Sequence, residues 1–186
     1  MSKNLCHPCR LAQFFHLHAI KALNKSLFEQ EPINSIRDWM VDHNETIAVA
    51  ESVTSGLLQA AFSTADKAMD FYQGGITAYN LGQKSRHLLI EPIHALSRNC
   101  VSEQVSREMA MNVCKLFSSD WGIGVTGFAS PVPESDNKLF AYYAIVRNDK
   151  IILSKKIEPT KDNLFAIQVV YVNDLLKEFS RHLSSL

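Results

Sequence analysis

Residues 46–62, TIAVAESVTSGLLQAAF, pass from one kind of structure to another within a few positions. Ile47 to Ala50 form a short unbroken apolar run, which predicts a strand buried on both faces. From there Leu57, Leu58, Ala61 and Phe62 fall at the spacing of a helix's inward stripe. A buried strand running straight into a helix is the first half of a βα unit, the element from which helix-covered parallel sheets are built. The joint between them holds Glu51, Ser52, Thr54, Ser55 and Gly56. A carboxylate at the end of a buried strand needs solvent or a partner. The hydroxyls suit either a helix cap or the binding of an anion at free N–H groups.

Working outward, INSIRDWMVDHN places Ile36, Trp39 and Met40 on one helical face with Asn34 or Ser35 as the cap, and Pro32 marks the expected boundary before it. GGITAY (74–79) reads as a second strand and LGQKSRHLL as a short helix or turn. Ser102 opens a longer helix with Val105, Met109, Val113 and Leu116 inward. WGIGVTG (121–127) is a third strand, and it leads into the proline-bearing loop FASPVPESDNK. Two further strands flank Asn148-Asp149, a hairpin turn. A final helix spans about 162–182, with Leu164, Ile167, Tyr171, Leu175 and Phe179 on one face. Strands alternating with helices, then a hairpin and a long helix, imply a three-layer α/β/α sandwich around a mixed, mostly parallel sheet. Residues 1–33 are expected to be an N-terminal arm, weakly structured or helical, and 34–186 one α/β domain.

The charge is balanced, with 19 Lys+Arg against 19 Asp+Glu, which removes the electrostatic case for nonspecific nucleic-acid or membrane binding. No apolar run approaches a membrane span, and no secretory signal is legible at the N-terminus, so the expectation is cytoplasmic. Cys6 and Cys9 form a CxxC, but the spacing to His16 and His18 is too short for common zinc fingers and no strand precedes it, so no metal is expected. Cys100 and Cys114 read as reduced, partly buried thiols.

Ligands of such sheets lie beyond the carboxyl ends of the parallel strands. Three loops answer to that place. The first is AESVTSG, whose Thr54, Ser55 and Gly56 would hold a phosphate at the helix start, or whose Ser52 or Thr54 would simply cap it. The second carries Tyr79, Asn80 and Lys84; a desolvated lysine beside a hydroxyl can serve as a base, whereas a lone lysine is more often a solvated one. The third carries Thr126, Gly127 and Ser130, then Pro131 and Pro133, either a proline-stiffened, preorganised wall or only a turn.

In order and spacing, AESVTSGLL, GGITAYNLGQK, CVSEQVSREMA and GVTGFASP resemble the motifs of the CinA (competence/damage-inducible) C-terminal domain, over roughly residues 36–183. Stand-alone members of that family are nicotinamide mononucleotide amidohydrolases. The resemblance implies the same sandwich fold, hydrolysis of a pyridine nucleotide's carboxamide to the carboxylate plus ammonia, no cofactor and self-association. The partner it implies is a small-molecule nucleotide. By position, it assigns catalysis to Ser52 or Thr54 with Lys84 and Tyr79, and substrate binding to Glu51, Ser55, Gly56, Thr126, Gly127, Ala129, Ser130 and Lys138. Residues 1–35 are too short to hold the N-terminal domain of full-length members, so any activity is assigned to this domain alone.

The chain also departs from the pattern. Val53 stands where the family has cysteine, and Ser55 where it has glycine. Asn80, Leu81 and Gly82 replace Ser-Asn-Glu, and Lys161 replaces an arginine. Ala68 and Met69 occupy the place of a Gly-Ser-Ser that is a second source for the nucleophile. Two other readings therefore stand beside the enzyme: a nucleotide-binding module without turnover, and an interaction protein using the fold as a scaffold.

Overall fold

The computed structural model describes residues 27–160 and 163–186; Cys6, Cys9, the first 26 residues of the expected arm and Lys161 lie outside them. Five strands form one sheet in the order β2-β1-β3-β4-β5. They are β1 (Ile47–Glu51), β2 (Tyr72–Thr77), β3 (Trp121–Phe128), β4 (Phe140–Arg147) and β5 (Lys150–Ile157). β1 runs parallel to both β2 and β3, while β4 and β5 continue the sheet antiparallel. Asn148 and Asp149 make the hairpin turn between the last two, both at positive φ (48° and 61°) as a tight two-residue loop requires.

Seven helices cover this sheet among the described residues: α1 (Gln30–His43), α2 (Leu57–Ser63), α3 (Ala68–Phe71), α4 (Leu81–Leu88), α5 (Pro92–Ser97), α6 (Glu103–Phe117) and α7 (Leu164–Leu183). Because side chains alternate along a strand, Ile47 and Val49 join the core shared with α1, α2 and α7. Ala48 and Ala50 face α4, α5 and α6 on the other side. The three-layer sandwich read from the sequence is what the chain forms.

Two glycines set how closely the layers approach. A Cβ on Gly122 would lie 2.2 Å from the Ala110 carbonyl oxygen, and one on Gly124 2.2 Å from that of Ser106. The alternate glycines of WGIGVTG thus let α6 lie directly on β3.

Several local expectations shift. The helix expected after Pro32 starts at Gln30, and Pro32 sits buried in its first turn. An N–H there has no intrahelical partner to lose, so proline is accommodated. The cap is Glu29 rather than Asn34 or Ser35. Phe28 is buried in the core, and Asn173 of α7 holds both the Leu27 carbonyl and the Glu29 N–H, each at 3.0 Å, so residues 27–29 pack against the body. Leu116, expected inward, is 49% exposed: in the last turn of α6 it is Phe117 that turns inward, toward Gly74 of β2. Leu164 is likewise exposed at the start of α7.

Candidate active site

A cleft of about 430 Å³ opens at the carboxyl ends of β1 and β3, between the N-terminal parts of α4 and α7. Ser52, Tyr79, Lys84, Cys100, Thr126 and Gln168 are among the residues lining it. Ser52 is the first residue beyond β1, and its N–H still donates to the Val125 carbonyl at 3.0 Å, so the sheet itself aims its side chain.

Lys84 comes from α4, which Asn80 starts by accepting a hydrogen bond from the Gln83 N–H. One turn into that helix, Lys84 points inward and is only 1% exposed. Its Nζ lies 2.8 Å from Ser52 Oγ, 2.9 Å from the Ala78 carbonyl and 3.3 Å from the Tyr79 carbonyl. As an ammonium it donates to all three. Losing one proton leaves two donors for the two carbonyls and a lone pair facing the serine hydroxyl. Burial pushes its pKa down to about 8, with Cys100 acting in the opposite sense. This is a hydroxyl in contact with an amine that surrenders its proton near neutrality.

Glu51 resolves the carboxylate question raised by the sequence. It is fully buried and turns into the start of α2. Its carboxylate accepts from Thr54 Oγ1 (2.5 Å) and from the N–H groups of Gly56 (3.2 Å), Leu58 (3.0 Å) and Gln59 (2.9 Å). The carboxylate fills the place where a phosphate was expected, so α2 offers no free N-terminus to a ligand. Thr54 is committed to Glu51, and neither it nor Glu51, Ser55 or Gly56 lines the cleft. Ser55 occupies the left-handed region at φ 50°, where glycine would be free of strain; this residue holds the family's glycine position in the turn.

The remaining expected residues divide. Tyr79, Thr126, Gly127, Ala129 and Ser130 all line the cleft. Tyr79 stands at the mouth, 72% exposed. Thr126 donates to the Cys100 carbonyl at 2.7 Å and so holds the neighbouring loop rather than offering a free hydroxyl. A Cβ on Gly127 would meet the Phe140 carbonyl at 2.5 Å, so its glycine answers to β4, not to a ligand. Lys138 is exposed and outside the cleft lining. Met69 is 94% exposed on α3, and neither it nor Ala68 reaches the cleft, so the serines missing there leave the Ser52–Lys84 pair intact. Cys100, read from the sequence as a reduced, partly buried thiol, and Gln168, which no sequence motif marks, also line the cleft. Among the described residues, no group of three or more His, Cys, Asp or Glu side chains is arranged to hold a metal.

Comparisons with known proteins bear on the family and the fold. The family model of the CinA C-terminal domain matches residues 29–172. The chain belongs to the CinA C-terminal domain family. A CinA-like protein of Picosynechococcus sp. is 32% identical over 150 residues, covering 81% of this chain and 33% of the relative. One from Prochlorococcus marinus is 41% identical over 95 residues, covering 50% of this chain and 22% of that protein. This CinA-family chain therefore spans a third or less of the length of these relatives. Among solved structures, a CinA superfamily protein from Klebsiella pneumoniae 700603 superposes with a TM-score of 0.77 at 20% identity, over 84% of this chain and 98% of that one. A competence or damage-inducible protein from Enterobacter asburiae gives 0.77 at 22% identity, over 82% and 96%. At that identity the likeness speaks for the fold. No helix among the described residues is long and apolar enough to cross a membrane.

Proposed function

We propose that this CinA-family chain is a serine–lysine amidohydrolase that deamidates nicotinamide mononucleotide or a related pyridine nucleotide. The observation that carries the reading is the 2.8 Å contact between Lys84 Nζ and Ser52 Oγ inside the cleft. Neutral Lys84 takes the Ser52 proton as Oγ attacks the carboxamide carbon, and the same proton passes to the departing nitrogen, which leaves as ammonia. Lys84 then draws a proton from water as that water attacks the resulting ester, and returns the proton to Ser52 Oγ as it leaves; the acid formed releases its own proton to solvent as the carboxylate. Tyr79, Ser130 and Gln168 line the cleft around the substrate. A volume of about 430 Å³ is that of a small-molecule site. The substrate class rests on the resemblance of the four motifs.

The test is ammonia release from nicotinamide mononucleotide by the purified protein, with Ser52→Ala and Lys84→Met alongside. Wild-type release with a loss of about a thousandfold or more in either variant is expected. Release no faster than that of Ser52→Ala overturns the reading.

A further inference from the structure

Two side chains of α7 reach the two loops that wall the cleft. Gln168 Nε2 donates to the Val53 carbonyl at 2.7 Å, and Tyr171 Oη donates to the Phe128 carbonyl at 2.8 Å. Residues three apart on a helix share a face and lie about 4.5 Å apart along its axis. One helix surface thus holds the turn after β1 and the end of β3, segments far apart in sequence.

We propose that Gln168 and Tyr171 form a clamp that positions the Ser52 turn against the β3 wall, with Gln168 the positioning residue for the nucleophile. The proposal rests on the serine–lysine reading given above. Ser52 is already held at its N–H by Val125 and at its hydroxyl by Lys84. Along the turn the Ser52 carbonyl accepts from the Ser55 N–H at 3.2 Å and the Thr54 carbonyl from the Leu57 N–H at 3.0 Å, and the Val53 carbonyl between them is the one that faces α7. Gln168 holds that carbonyl, one residue beyond the nucleophile. Geometry of this kind matters because a displacement of about 1 Å at a reacting atom costs on the order of a hundredfold in rate. On the opposite wall, Phe128 closes β3 and begins the run through Ala129 and Ser130 that lines the cleft. Tyr171 fixes where that run starts. The tyrosine is fully buried, where a hydroxyl usually finds a partner, and the partner it has lies at the edge of the cleft.

Two measurements on the full chain test the clamp: hydrolysis of nicotinamide mononucleotide, and the rate at which a fluorophosphonate probe labels Ser52. Gln168→Leu keeps the bulk and removes the donor. It is expected to lower kcat and the labelling rate in parallel by tenfold or more, with KM within twofold and the melting temperature within a few degrees. Tyr171→Phe frees the Phe128 carbonyl and is expected to raise KM several-fold while labelling stays within twofold. Gln168→Met serves as the readout if the leucine variant folds poorly. Labelling of both Gln168 variants at the wild-type rate overturns the clamp. If Ser52 labels and the Gln168 variants slow it, but no amide is hydrolysed, the clamp stands and the amidohydrolase reading falls. A wild-type protein that neither hydrolyses nor labels overturns both.

Discussion

In the reaction proposed above, Lys84 is the residue on which the chemistry turns. Among the described residues no carboxylate pairs with this buried amine, whose carbonyl partners lie at 2.9 and 3.3 Å, and burial lowers its pKa to about 8. A base works only when unprotonated, so at pH 7 about one molecule in ten carries it in the active form. The amide-hydrolysis rate is expected to climb about tenfold per pH unit below 8 and to level above it. A pH–kcat profile measured from pH 6 to 9.5 checks this, and a flat profile would remove Lys84 from the role of base. The glycine-to-serine change at Ser55 and the cysteine-to-valine change at Val53 leave the Ser52–Lys84 contact in place.

At the scale of elements, the joint between β1 and α2 is held by a carboxylate rather than by a bound anion. Glu51 takes three N–H donors and the Thr54 hydroxyl, which caps a seven-residue helix that starts at a left-handed Gly56. Helices that short do not stand alone, so the cap and the packing of Leu58, Ala61 and Phe62 sustain it. Thr54→Val removes one hydrogen bond to a buried charge and should cost about 1.5–3 kcal/mol in urea unfolding. Its kcat per folded molecule is expected to remain within a few-fold of wild type. A loss as deep as that of Ser52→Ala would make Thr54 a participant in the chemistry instead of a cap.

For the molecule as a whole, placing Lys84 in the interior carries a linkage to pH. In the unfolded chain the amine keeps its proton up to about 10.4, whereas in the fold it releases it near 8. Between those values the unfolded state binds more protons, so raising the pH stabilises the fold. Below 8 both states are charged and the fold bears the whole cost, roughly 3 kcal/mol by the proton-affinity difference. Wild type should therefore gain on Lys84→Met in urea unfolding as pH rises from 8 to 10. Comparison with that variant cancels the titration of other groups. A constant difference between the two proteins would mean that the buried amine keeps its proton in the fold throughout this range and that burial does not lower its pKa.

Much of this architecture is local and therefore legible in the chain. The apolar run 47–50, the Ser102 cap and the Asn148-Asp149 turn each obey a short-range rule, and each forms as that rule predicts. The helices at 68–71 and 92–97 escaped because four- and six-residue segments show too little periodicity, although Pro92 after the capping Glu91 was a readable start. The ordered motifs were also enough to name the family and to nominate Ser52, Lys84 and Thr54 together. They did not separate these roles, because a serine, a threonine and a carboxylate around a helix start look alike in sequence. That separation came from folding: the alternation along β1 sends Glu51 toward α2 and Ser52, next in the chain, toward Lys84, and the turn brings Thr54 back onto the Glu51 carboxylate. Lys84, 32 residues from Ser52, reaches it only because β2 lies beside β1. Gln168 reaches Val53 only because α7 folds back across the sheet. Short-range rules act along the chain, while partners this far apart are selected by the packing of layers.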